Sequence, residues 1–118
     1  MMKTHFVLAL TLALAFAGVA QAHVHLHESV PADRSTLTSL PKDIVLEFTK
    51  PIQLTALSLQ TSDGKTQDLA PLPKVADSRV SVPMPQNLAA GAYLINWRGV
   101  GADGHVMSGK ISFSVASK

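Results

Sequence analysis

After residue 22, hydrophobic and polar residues alternate with a period of two through most of the chain, the pattern of strands with one buried face. His23-Val24-His25-Leu26-His27 opens the series. Val24 and Leu26 are expected to point inward and the three histidines to share the opposite face. Asp43 to Lys50 alternates with Ile44, Leu46 and Phe48 on one side, and Pro51 is expected to break that strand. Ile52 to Thr61 predicts the next, with Leu54, Ala56 or Leu57, and Leu59 as core candidates. Ser62-Asp63-Gly64-Lys65 has hairpin-turn chemistry. A weak strand around Thr66 to Leu69 and a proline-rich edge at Pro71-Leu72-Pro73 follow it. Arg79 to Pro83 alternates again, and Ala92 to Gly99 and Lys110 to Ala116 are the clearest late strands, with Tyr93, Phe48 and Phe113 as core aromatics. Ser29 to Ser35 reads as a turn, Leu37 to Pro41 as an irregular connection, Asn87 to Gly91 as a short loop, and Val100 to Gly109 as a glycine-punctuated loop. About six to eight short strands without a helical period predict an all-β fold, an immunoglobulin-like Greek-key β-sandwich or barrel of about seven strands.

The first 22 residues break this pattern. Lys3 supplies a positive start, Phe6 to Val19 is continuously apolar, and Ala20-Gln21-Ala22 is a small-residue cleavage site. The apolar run is roughly 14 residues, short of the roughly 20 that cross a bilayer. Residues 1–22 are therefore expected to be a removable secretory signal, and residues 23–118 one soluble, monomeric domain. Removing 22 of 118 residues leaves 96. Lys3 goes with the leader, so 10 basic residues become 9 against 8 acidic ones, a net charge of +1. No Lys/Arg cluster exists to grip nucleic acid. There is no cysteine, which excludes disulfides, lipid attachment through cysteine and thiolate metal sites.

Cleavage after Ala22 would give His23 a free α-amine beside its own imidazole, a pair that can close a chelate ring on a metal. Beyond the leader the chain has only four histidines, His23, His25, His27 and His105. His105 lies two residues after Asp103 in the glycine-rich loop, where an extended backbone can present both side chains to one side. An amine, imidazoles and a carboxylate are the donors that suit square-planar Cu(II), which also leads the divalent affinity order. A softer Cu(I) site would need thioethers, and only Met84 and Met107 remain, far apart in sequence. A terminus with histidine at its third position can also wrap Cu(II) or Ni(II) with the amine, two deprotonated amides and the His25 imidazole. That mode would unpair backbone groups of the first strand at about 1–3 kcal/mol each. A loop-based site is therefore expected, with His25 as an additional or substitute ligand. His27 by itself reads as a surface histidine, and Asp103 by itself as turn chemistry. Trp97 reads as a core or rim residue walling the site. Arg98 is either a partner of a carboxylate such as Asp103 or a plain exposed strand residue.

The start HVHLHESVPADRS, the strand IVLEFTKPI, the run AGAYLINWRGVGADGHVMSGKISFSV and the A-Q-A leader together resemble the copper resistance protein CopC family. Its most specific motif, W-R-x-V-x-x-D-x-H-x-x-x-G, stands here as Trp97 to Gly109. The resemblance implies a periplasmic β-sandwich that binds Cu(II) through the amino-terminal histidine and the loop's Asp and His, here His23, Asp103 and His105. Some members carry an acidic residue in the outer shell of that site, where this chain has Lys50. Members that also bind Cu(I) have a methionine-rich segment between the middle strands, and here residues 60–75 contain no methionine. The implied type binds Cu(II) alone.

On this reading the protein carries or buffers copper for homeostasis or resistance, without chemical turnover. It would hand the ion to an inner-membrane importer on a separate polypeptide or to a cuproprotein acceptor. Two alternatives compete. An amino-terminal histidine chelate also occurs in copper enzymes that cleave polysaccharides oxidatively, although Asp103 as an in-plane ligand and the small size argue against that chemistry. The other is an immunoglobulin-like structural module whose histidines are incidental.

Overall fold

The computed structural model describes residues 24–117, and the expected leader and His23 lie outside them. Seven strands follow in order: β1 (Leu26–Val30), β2 (Ser35–Leu37), β3 (Asp43–Thr61), β4 (Thr66–Asp68), β5 (Asp77–Pro83), β6 (Gly91–Gly101) and β7 (Val106–Val115). The hydrogen-bonded path runs β1-β3-β6-β7-β2, with β4 and β5 also on β3. Every pairing is antiparallel except β2 with β7, which is parallel. The described residues form the expected all-β sandwich, and none belongs to a helix long and apolar enough to cross a membrane.

Strand β3 organises both layers. Its first half, to Phe48, pairs with β1 and β5, and its second half, from Ile52, pairs with β4 and β6, with Ile52 keeping one further β5 partner in Asp77. Pro51 does not end the strand, contrary to the sequence expectation. It lies where the β1 pairing has ended and the β6 pairing begins, within the register shift of the β5 ladder, a place that a residue without an N–H tolerates. A register shift between Leu54 and Ala56 then resets the alternation, so Leu57 rather than Ala56 turns inward.

The core is built from cross-strand partners. Ile44 opposes Val82, Leu46 opposes Val80, Leu59 opposes Ile95, and Ile95 opposes Ile111, all buried. Each such side chain contributes about 1.5–3 kcal/mol by leaving water. Tyr93 stacks on Phe113 with ring centroids 5.4 Å apart and donates its hydroxyl to the Ala89 carbonyl at 2.6 Å. Beyond it, Trp97 meets Phe48 edge-on at 5.0 Å. The indole lies directly on Gly109, where an added Cβ would stand 2.6 Å from Nε1. No polar or charged residue is buried among the described residues.

Three expectations need correction. Strands β6 and β7 run further than expected, leaving only residues 102–105 as the loop between them. Strand β1 starts at Leu26 and continues to Val30, into the expected turn. Its register shifts between Leu26 and Glu28, which inserts His27 as an extra residue and turns Val30 outward. Residues 35–37, read as the end of a turn and an irregular connection, form the short parallel strand β2 on β7. The preceding Asp33 carboxylate accepts the Ser112 N–H at 2.9 Å, and this bond lowers its pKa.

Candidate metal centre

The loop that carries Asp103 and His105 has the hydrogen-bonding of a tight turn closed by a bulge. Gly104 donates its N–H to the Gly101 carbonyl at 2.9 Å, and Gly101 donates to the His105 carbonyl at 3.0 Å. Gly104 takes φ +82°, the left-handed conformation such a turn requires. Within this frame the Asp103 carboxylate folds back over the chain. Its Oδ1 accepts the His105 N–H at 3.0 Å, and its Oδ2 lies 2.8 Å from His105 Nδ1. These contacts, first the backbone N–H and then the ring, hold the Asp103 pKa below the usual carboxylate range. With Nδ1 engaged, Nε2 is the ring nitrogen left for a further ligand.

A small residue at position 101 makes this arrangement possible. A Cβ on Gly101 would stand 2.9 Å from Asp103 Oδ1 and 3.7 Å from the Val24 side chain. The same construction shows that Val24, at the start of the described chain, sits against the loop. Val24, Lys50, Pro51, Ala102 and Asp103 line a single recess of about 160 Å³. Residue 25 fixes this approach through its backbone. The His25 N–H donates to Thr49 Oγ1 at 3.0 Å, and the Thr49 N–H donates to the His25 carbonyl at 2.9 Å. The Thr49 clamp was not legible in the sequence, where Thr49 is merely a polar residue near a strand end.

The expected site residues divide accordingly. Asp103 and His105 are hydrogen-bonded partners, and His23 lies outside the described residues, one peptide unit of about 3.8 Å before Val24. His25 is exposed, on the side of the chain opposite to the half-buried Val24. His27 lies elsewhere, lining a groove with Glu28, Asp33 and Lys110 between β1 and β7. No group of three or more metal-binding side chains occurs among the described residues. Arg98 is exposed and forms no ion pair among them, so of its two readings the exposed strand arginine holds. Trp97 is a core residue, and its buried Nε1 has no hydrogen-bond partner among the described residues.

The CopC domain family model matches residues 26–116. The chain is 30% identical to the copper transport protein CutJ of Bacillus subtilis over 92 residues, which are 75% of this chain and 17% of CutJ. It thus spans less than a fifth of that relative's length. The crystal structure of CopC from Methylosinus trichosporium OB3b superposes with a TM-score of 0.67 at 26% identity, covering 79% of this chain and 93% of that one. PcoC, a methionine-rich copper resistance protein of Escherichia coli, gives 0.60 at 28% identity, covering 80% of this chain and all of PcoC. With the family model matched from β1 to the residue after β7, the chain belongs to the CopC domain family.

Proposed function

We propose that this protein is a periplasmic carrier or buffer of copper that holds Cu(II) at its processed amino terminus. The α-amine and imidazole of His23, the Asp103 carboxylate and the His105 ring would hold the ion, with His25 as an additional or substitute ligand. Residues 1–22 are the export signal, and residues 23–118 form the copper-binding domain. The observation that carries this reading is the contact between the start of the chain and the loop: Val24 shares one recess with Asp103. This proximity supports a site in which a nitrogen one residue before Val24 would join the loop's carboxylate and imidazole. These hard and intermediate donors fit Cu(II), and the transport reading also draws on the similarity to the copper transport protein CutJ and the copper resistance protein PcoC.

The methionines support the same oxidation state. Met84 is buried, and Met107 is half-buried against the core. Both serve packing, which leaves no exposed thioether cluster among the described residues for Cu(I). Lys50, in the recess with Asp103, places a cation where some family members carry an acid, so outer-shell support for Cu(II) would differ here.

Cu(II) titration of three forms tests the reading: the chain beginning at His23, the same chain with one extra residue before His23, and His105→Ala. The extension is expected to weaken binding by several orders of magnitude with an unchanged circular dichroism spectrum. Equal affinity in the first two forms would refute the amine as a ligand.

A further inference from the structure

The start of the described chain is held by a side chain at a point where a regular sheet would use backbone. The β1–β3 ladder begins with Leu26 opposite Phe48. One step earlier the pairing is only half regular. The Thr49 N–H donates to the His25 carbonyl at 2.9 Å, as in any antiparallel ladder. The reciprocal bond goes elsewhere: the His25 N–H donates to Thr49 Oγ1 at 3.0 Å. A backbone acceptor is present whatever residue occupies a position. This acceptor exists only because position 49 carries a hydroxyl, and Thr49 is exposed, so no packing demand explains it.

The nitrogen so covered decides between two ways of holding a metal. A chain beginning at His23 can wrap a divalent ion in one plane with its α-amine, the Val24 and His25 peptide nitrogens and the His25 imidazole. Each peptide nitrogen gives up its proton to water, and the ion takes the direction in which that proton pointed. At His25 that direction is filled by Thr49 Oγ1. A metal–nitrogen bond of about 2 Å along it would leave the ion only about 1 Å from the oxygen. The wrap therefore requires residue 25 to leave Thr49, and Val24 to leave its place against the loop. The two modes also favour different ions. Four nitrogens in a plane suit Ni(II) as well as Cu(II), whereas at a mixed set of amine, carboxylate and imidazole Ni(II) falls below Cu(II).

We infer that the Thr49 hydroxyl is a specificity-determining group. It bars the peptide-nitrogen wrap, leaves Cu(II) to the loop's donors, and denies Ni(II) the planar site that would hold it best. Thr49 touches no metal in this account and acts by positioning His25. The inference rests on the copper reading, which makes His23 the first residue and Asp103 and His105 the competing donors.

The test titrates Ni(II) into the chain beginning at His23, as parent, Thr49→Ser, Thr49→Ala and Thr49→Ala/His25→Ala. Thr49→Ala should gain a diamagnetic, square-planar Ni(II) complex, seen in visible absorption, with Ni(II) affinity raised at least about tenfold. Thr49→Ser, which restores the hydroxyl, should match the parent, and the double variant should lose the gained complex. Without metal, the His25 amide should exchange with deuterium about tenfold faster in Thr49→Ala than in the parent or Thr49→Ser. A square-planar Ni(II) complex in the parent, none in Thr49→Ala, an equal gain in Thr49→Ser, or a complex that survives His25→Ala would overturn the inference. So would a His25 amide that exchanges in the parent as fast as in an unfolded peptide, a result that needs no variant. Loss of Cu(II) affinity in His105→Ala with no Ni(II) gain in Thr49→Ala would keep the copper reading and remove the role of Thr49. The reverse pattern would keep Thr49 as a bar to the wrap and remove the loop site, so the two failures are distinguishable.

Discussion

Two hairpin loops of this protein share a backbone and differ in chemistry. Thr61-Ser62-Asp63-Gly64-Lys65 joins β3 to β4, and Gly101-Ala102-Asp103-Gly104-His105 joins β6 to β7. In each, the glycine before the last residue has φ above +80° and donates to the carbonyl of the first. The first residue in turn donates to the carbonyl of the fifth. The side chains then diverge. Thr61 donates its hydroxyl to Asp63, which dominates the lowering of the Asp63 pKa. Position 101 has no side chain, so Asp103 turns to the backbone and ring of His105 instead. The loops also sit at opposite ends of β6, since Ile52 opposes Gly101 and Thr61 opposes Tyr93, about 30 Å of strand. Asp-Gly therefore specifies the turn in both places. Only the second loop combines an imidazole, a carboxylate bonded to it and the adjoining Val24.

Exchanging the features that distinguish the loops gives the strongest contrasts. His105→Lys, which gives the second loop the first loop's last residue, should cost at least about two orders of magnitude in Cu(II) affinity, more than the 10–100-fold of an outer-shell change. Its thermal unfolding should stay near that of the parent, because His105 is exposed and the turn needs only Gly104. Gly109→Ala probes the packing below the second loop. A Cβ 2.6 Å from the indole must displace Trp97, at about 1–3 kcal/mol, read from urea unfolding. Gly101→Ala should swing the Asp103 carboxylate away and weaken Cu(II) about tenfold, visible as a changed Cu(II) electron paramagnetic resonance spectrum. Lys65→His should gain no stoichiometric Cu(II) site in isothermal titration, because that loop lies at the end of β6 away from Val24.

Acid exposes the smallest contrast. Asp63 and Asp103 both have folded pKa values below the ordinary carboxylate value. Each contributes stability above its unfolded pKa of about 3.9, which is lost as pH falls through its lower folded value. Both groups are exposed, so the effect on unfolding is small and is best read from carboxyl carbon shifts. Between pH 8 and 5, Cu(II) affinity should fall because the α-amine, titrating near 7.7–8, regains its proton while Asp103 stays ionised. An affinity flat over that range would remove the amine from the site.

The buried faces of β3, β5, β6 and β7 were legible because alternation is a local property, and Ile44, Leu46, Ile95 and Phe113 are where the pattern puts them. What local pattern omits is pairing at a distance. The parallel β2 rests on contacts between residues 33–37 and 112–116, which three residues of strand do not advertise. The bulge at His27 inverts a phase that looked continuous from Val24 to Val30. At the site, the Asp-Gly-His spacing was readable from the residues, while the expected cleavage point lies outside the described residues. The need for glycine at 101 was not, because the atom it would meet belongs to a side chain whose direction depends on the turn.

If copper is held as proposed, the hydrogen bonds between residue 25 and Thr49 bear on how readily it leaves. Wrapping the ion in deprotonated amides would require stripping the His25 N–H that Thr49 already holds, and would peel the first strand from its neighbour. On the proposed function, the fold would steer the metal toward donors that can release it without any peptide nitrogen having to recover a proton. Cargo held in that way would, on the proposed function, remain exchangeable, as a courier requires.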